Sequence, residues 1–288
     1  MTRVRLAKYH ATGNDFLVWS GLDPDADAGV RGILGAPASA LCDRHRGVGA
    51  DGLIVVQPGG DGADCRMVLF NADGAVAEMS GNGIRCLAAE AVRAGLGADG
   101  RLVVDTDSGR REVTYQADGT GAVVAATVDM GPVTFEPAAI PVSAPTAFGV
   151  GARYHGVEYE GDAAGMGNPH LVLFVDDVAG ARVTQHGPHL EHDERFPKRT
   201  NVEFVMVTGA DRLTMRVWER GVGETLSCGT GACAAAAVAH RRGLVGDHVV
   251  VDVPGGALGV ELGATIRLGG PVVHVFDVEV DLDIVGRV

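Results

Sequence analysis

The chain has 288 residues, a hydrophobic fraction of 46% and a formal net charge of −13 at pH 7. That length supports one or two domains with ample core, and the acidity argues against nucleic acid or an anionic membrane surface as partner, since both recruit basic patches. No apolar run approaches the ~20 residues of a membrane span, and the five cysteines form no C-x-x-C pair and no disulfide framework.

Residues 1–8 lack the apolar core of a signal peptide, so the expected compartment is a reducing cytoplasm. Residues 3–9 and 16–19 read as strands around a turn at Thr12-Gly13-Asn14-Asp15, because a polar break with Gly and Asn between apolar runs is turn chemistry. A short helix is expected from Ala38 to Arg44, and a strand from Leu53 to Val56. Gly47-x-Gly49-x-x-Gly52 spells a dinucleotide-binding string, but it precedes a strand instead of following one, and the cofactor reading is set aside. Cys65 to Phe70 reads as a strand that delivers Asn71-Ala72-Asp73-Gly74. Glu78 and Met79 then lead to Ser80-Gly81-Asn82-Gly83 and an Ala-rich helix over about 82–94. Leu102–Thr106 and Glu112–Tyr115 pair as a hairpin across Asp107-Ser108-Gly109.

The second half repeats this plan. Cys228-Gly229-Thr230-Gly231 opens another Ala-rich run 148 residues after Ser80, and both runs close on Gly-Leu, at Gly95-Leu96 and Gly243-Leu244. Gly13-Asn14 is answered by Gly167-Asn168, and the hairpin is answered by Val250–Val253 and Leu258–Leu262 across Pro254-Gly255-Gly256. Five matches in one order imply a duplicated fold. Each half is mostly strand with one central helix, which makes the class α+β. The expected halves are 1–125, completed by a C-terminal strand at about 275–288, and 126–274. Helix N-termini expose N–H groups and positive dipole, which suit a carboxylate and lower the pKa of a thiol placed there. Two of them, one headed by a serine and one by a cysteine, point to a two-base isomerase of an amino acid.

These strings resemble the diaminopimelate epimerase family. The resemblance rests on Gly13-Asn14-Asp15-Phe16, Asp43-Arg44-His45-Arg46-Gly47, Asn71-Ala72-Asp73-Gly74, Gly81-Asn82-Gly83, Gly167-Asn168-Pro169-His170, Asn201, Glu219-Arg220-Gly221 and Cys228-Gly229-Thr230-Gly231-Ala232-Cys233. It implies two pseudo-symmetric halves, each a strongly curved, mostly antiparallel sheet around a central helix, with the active site in the cleft between them. It also implies interconversion of LL- and meso-diaminopimelate without cofactor or metal, in lysine and peptidoglycan precursor synthesis, by a homodimer whose partner is a small amino acid. Cys228 and Ser80 would be the acid/base pair. Gly81, Asn82, Gly229 and Thr230 would meet the α-carboxylate, and Asn14, Asn71, Asn168, Asn201, Glu219 and Arg220 the remaining polar groups. His170 could orient a thiol or contact substrate.

Two positions depart from the family pattern. Ser80 stands where the family carries its other cysteine, and Gly52 where a glutamine is common. Serine is also a preferred helix N-cap, and it is the symmetry with Cys228 that singles Ser80 out. An introduced Cys→Ser change, a natural serine-type epimerase and a relative with altered chemistry all remain open. So do three alternatives to the family reaction: an epimerase or racemase of another amino acid, a one-base isomerase, and a non-catalytic amino-acid-binding relative. Cys42, Cys65, Cys86 and Cys233 are expected in the core. His186, His189 and His192, spaced by three, are expected on a solvated, Pro-rich loop and not on a metal.

Overall fold

A computed structural model describes residues 3–22, 35–77 and 79–283, with backbone alone at 35–37. Glu78 and the last five residues of the expected C-terminal strand lie outside the described residues. The chain divides into two compact units, one up to Val128 together with the residues from Gly270 onward, the other Asp129–Gly269.

The first unit opens with the hairpin β1 (Arg3–Ala11) and β2 (Asn14–Ser20). Its two-residue loop, Thr12-Gly13, has positive φ at both positions, 48° and 82°, as the twist of a tight hairpin requires. α1 (Gly35–Cys42) follows, then β3 (Gly52–Pro58), parallel to β2, and β4 (Cys65–Asn71), antiparallel to β3. The short β5 (Val76–Ala77) turns back on β4 and feeds α2 (Gly81–Arg93). β6 (Arg101–Thr106) runs parallel to β4, and β7 (Gly109–Ala117) and β8 (Val123–Asp129) continue antiparallel. α2 packs against β1–β4 and β7, and all its residues from Gly81 to Ala91 are buried. It is therefore a core helix inside its own sheet. Leu6, Leu17, Trp19, Leu41, Leu53 and Val55 close the layer between that sheet and α1.

The second unit begins its ordered strands with β9 (Ala152–Tyr154) and then repeats the first unit element by element. β10 (Val157–Gly165) and β11 (Pro169–Phe174) form an antiparallel hairpin, and α3 (Val183–Glu191) follows. β12 (Asn201–Gly209) runs parallel to β11, β13 (Arg212–Glu219) antiparallel to β12, and β14 (Gly223–Thr225) antiparallel to β13. Then come α4 (Gly229–Arg241), β15 (His248–Val253) parallel to β13, and β16 (Gly256–Glu261) and β17 (Arg267–Pro271), both antiparallel. Every pairing sense matches that of the first unit. α4 packs against β10–β13, β15 and β16, and its Ala232–Ala239 run is buried throughout, small side chains letting the strands close in. Phe204, Leu171, Leu173, Val183 and Leu190 build the core of this unit. The chain then returns to the first unit through β18 (Val273–Asp281), antiparallel to β1 over Arg3–His10.

One local expectation needs correction. The segment carrying His186 and His189 is the helix α3, not a loop, despite Pro188 inside it. His186 is buried at 2% exposure and bonded to the Tyr159 hydroxyl at 2.6 Å, while His192 caps the helix end. Glu219–Leu226 holds the end of β13 and all of β14. Gly47 has a steric reason, since a Cβ there would lie 2.1 Å from the Ala40 carbonyl oxygen. No helix among the described residues is long and apolar enough to cross a membrane.

Candidate active site

In the first unit Ser80 is the N-cap of α2, in extended backbone, and its Oγ accepts from the Gly83 N–H at 3.0 Å. Gly81 and Asn82 form the buried first turn. The Asn82 amide donates to Asn14 Oδ1 at 3.2 Å, and Asn14 Nδ2 donates to Asp51 Oδ2 at 2.7 Å. Arg85, fully buried, donates to Asn82 Oδ1 at 2.9 Å. The Gly47–Gly52 string, set aside as a cofactor loop, thus delivers Asp51 to Asn14. Arg44 bridges Asp51 and Asp15, and Lys8 also pairs with Asp15. Burial disfavours the Asp15 carboxylate, but hydrogen bonds from Arg44 and Lys8 prevail and hold its pKa at about 2. Asn71, at the exposed end of β4, stands opposite Gly52 in the ladder. A Cβ at Gly52 would meet the Phe70 carbonyl oxygen at 2.7 Å and the Phe16 ring at 3.2 Å, so this backbone does not admit a glutamine there without shifting.

In the second unit Cys228 is the N-cap of α4, likewise extended, but no side-chain cap bond closes on it. Its Sγ lies 3.6 Å from Thr230 Oγ1. The thiol is 4% exposed. Burial, then the charges of Glu219 and Glu203, push its pKa well above the ordinary thiol value, against the Thr230 hydroxyl. The direction is opposite to the lowering expected at a helix N-terminus, because desolvation and two carboxylates disfavour the thiolate. Glu219 is itself raised, by burial first, although Thr225 donates to it.

His170 is fully buried, with Nδ1 at 2.7 Å from Glu203 Oε1 and Nε2 at 2.8 Å from Asn168 Oδ1. Asn201 pairs with His170 in the β11–β12 register. Its amide is engaged on both sides: Oδ1 accepts from the Arg220 N–H at 3.0 Å and Nδ2 donates to the Pro169 carbonyl at 2.9 Å. Arg220 is exposed and donates to the Lys198 carbonyl at 3.2 Å. In the second unit Asn168, His170 and Glu203 form one hydrogen-bonded run, Asn201 holds the Arg220 backbone, and Cys228 lies in the field of Glu219 and Glu203; in the first unit Asn82 is bonded to Asn14 and Ser80 to its own helix.

Sequence reasoning missed Asp51 and Glu203. Only the polar residue alternating into the apolar Asn201–Val205 strand hints at Glu203. A Cβ on Gly231 would sit 2.8 Å from Glu203 Oε1 and 3.2 Å from Cys228 Sγ, so glycine there lets carboxylate and thiol share one side of α4. Among the described residues no group of His, Cys, Asp and Glu could hold a metal ion.

The diaminopimelate epimerase family model matches residues 6–136 and 163–271. A diaminopimelate epimerase from Pseudomonas savastanoi pv. phaseolicola is 40% identical over 97% of this chain and 99% of its own length. One from Synechococcus elongatus is 42% identical with the same coverage. Among solved structures, a hydroxyproline epimerase from Agrobacterium vitis superposes with a TM-score of 0.72 at 16% identity, covering 96% of this chain and 92% of its own. A PhzF-family phenazine biosynthesis protein from Bacillus anthracis gives 0.71 at 16%, covering 97% and 99%. These two likenesses speak to the fold alone. With the sequence match running almost end to end through both units, this chain belongs to the diaminopimelate epimerase family.

Proposed function

We propose that the protein is an isomerase interconverting LL- and meso-diaminopimelate at the α-carbon, with Cys228 as an acid/base. The observation that carries this reading is Cys228 itself, buried at the N-terminus of α4 beside Glu219 and Thr230, within a chain about 40% identical to named diaminopimelate epimerases. Burial and two carboxylates keep the thiol protonated in the unliganded protein. The substrate ammonium brings positive charge that favours the thiolate, and the thiol gives up its proton to solvent as substrate binds. The thiolate then takes the α-proton, and the electron pair left behind spreads onto the α-carboxylate. Backbone N–H groups at Gly229 and Thr230, with Gly81 and Asn82, stabilise that charge as helix N-termini do. Inversion is complete when a donor on the opposite face supplies a new proton, the place assigned to Ser80. Arg220 supplies a fork for a carboxylate, and Asn14, Asn71, Asn168, Asn201 and Glu219 meet the remaining polar groups. No cofactor enters this scheme.

Cys228→Ala should abolish α-proton exchange in D₂O, a loss of about 10²–10⁴ for a positioned acid or base, while calorimetry still detects substrate binding. An unchanged exchange rate removes Cys228 from the reaction. Ser80 supports a second reading, one-base exchange without efficient inversion, because its oxygen already caps α2 and a hydroxyl is a poor base near neutral pH.

The protein works as a homodimer in the reducing cytoplasm in this scheme. Val273, Val275 and Phe276 on β18 are 42–50% exposed, which supports an apolar contact between copies, and all five cysteines are free. Phe276→Asp should shift sedimentation from dimer to monomer.

A further inference from the structure

Glu191 closes α3 and is 4% exposed, and three donors converge on its carboxylate. The Gly221 N–H reaches Oε1 at 2.9 Å, the Trp218 indole N–H reaches Oε2 at 2.8 Å, and Arg199 lies at 3.5 Å. Burial alone would favour the neutral acid, but Trp218 and Gly221 prevail and hold the carboxyl below its usual range. The helix carrying it is firmly seated. A Cβ on Gly187 would lie 2.6 Å from Trp218 Cβ and Cγ, so glycine lets α3 lie directly on that side chain. Val183 and Leu190 of the same helix are in the core with Phe204.

What Glu191 holds is the turn after β13. The Val222 N–H donates to the Glu219 carbonyl at 3.1 Å, and Gly221 has a φ of 77°. Two successive N–H groups of this turn are gripped by buried side chains from two elements: Arg220 by Asn201 of β12, Gly221 by Glu191 of α3. A carboxylate is suited to this because both of its oxygens only accept. An amide would turn an NH₂ toward either the indole or the Gly221 N–H, and could satisfy one of them but not both.

We propose that Glu191 is the positioning residue of the Arg220 turn, fixing Gly221 and Trp218 so that the Arg220 guanidinium meets a substrate carboxylate from a set direction. This rests on the reading of Arg220 as a substrate-binding residue. The test is calorimetric binding of meso-diaminopimelate to the parent protein, Glu191→Gln, Arg220→Ala and the double variant, with Trp218 emission and thermal melting recorded for each. Glu191→Gln should weaken binding on the order of tenfold, the scale of one charge-assisted hydrogen bond, and shift the indole emission. In the double variant Glu191→Gln should add nothing to Arg220→Ala, because neighbours acting through one group are not additive. An equal further loss in the double variant, or parent-like affinity in Glu191→Gln with a shifted emission, overturns the proposal while leaving Arg220 in place. Parent-like affinity in Arg220→Ala overturns both readings. Should Glu191→Gln fail to melt cooperatively, Glu191→Asp, which keeps two acceptor oxygens one methylene short, should retain more affinity than Glu191→Ala; equal affinities count against the proposal.

Discussion

Ser80 and Cys228 occupy the same place in two copies of one motif, yet their side chains do different things. The serine oxygen is tied down by the Gly83 N–H; the thiol caps nothing and is burdened by nearby carboxylates. Ser80→Cys should raise epimerisation by about 10²–10⁴, the worth of a positioned acid or base, measured as deuterium incorporation from LL- and meso-diaminopimelate separately. Equal, fast exchange from both isomers in the serine protein would refute the argument. A second prediction concerns the thiol. The Glu219 charge raises the Cys228 pKa, so Glu219→Gln should move the pH midpoint of Cys228 alkylation downward. An unmoved midpoint would mean that burial and Glu203 set it without Glu219. Asp15 supplies a third. Its folded pKa, about 2, lies below the ordinary carboxylate value, so its contribution is full above pH 4 and is lost as pH falls toward 2. At about 1.4 kcal/mol per unit that is on the order of 2 kcal/mol, and Asp15→Asn should flatten the acid limb of the stability curve. The motif positions were legible because Gly-x-Gly before an Ala run has few other uses. Asp51, Glu203 and Glu191 were not, since each acts on a partner from another segment and nothing local marks a carboxylate as buried.

At the scale of elements, the hairpins were readable wherever the turn has special chemistry, as at Thr12-Gly13 and Asp107-Ser108-Gly109. α2 and α4 were readable because capped, Ala-rich runs ending in Gly have one sensible fold. α3 was not. Gly187, Pro188 and three histidines look like loop, and tertiary packing, on Trp218 and through Val183 and Leu190, makes the segment a helix. Gly187→Ala places a methyl against that indole at a separation no relaxed structure keeps. It should cost about 1–3 kcal/mol, seen as a lower melting temperature. A variant that melts like the parent would show that α3 is free to shift.

At the scale of the molecule, duplication was visible through landmark strings whose spacing drifts with loop length, and the pairing senses of the two units agree throughout. The first half was expected to take up a C-terminal strand, but that this strand pairs with β1 was not legible, because β1 and β18 are nearly a whole chain apart. β18 contributes Val278 and Val280 to the core of the first unit. A chain ending after residue 270 should therefore lose hydrogen-exchange protection in β1 and β2 while β10–β13 stay protected. Equal loss in both units would mean that they unfold as one.

The return of β18 also has a consequence for synthesis. Chains leave the ribosome N-terminus first, and domains usually fold in that order. Here the order is reversed: Asp129–Gly269 is continuous and has all its strands once residue 271 has emerged, whereas the first unit, although made first, waits for residues 273–281 to pair with its opening strand. For most of translation β1 is an apolar strand with one edge open, of the kind prone to wrong pairing, so the earliest part of the chain is the last to be safe.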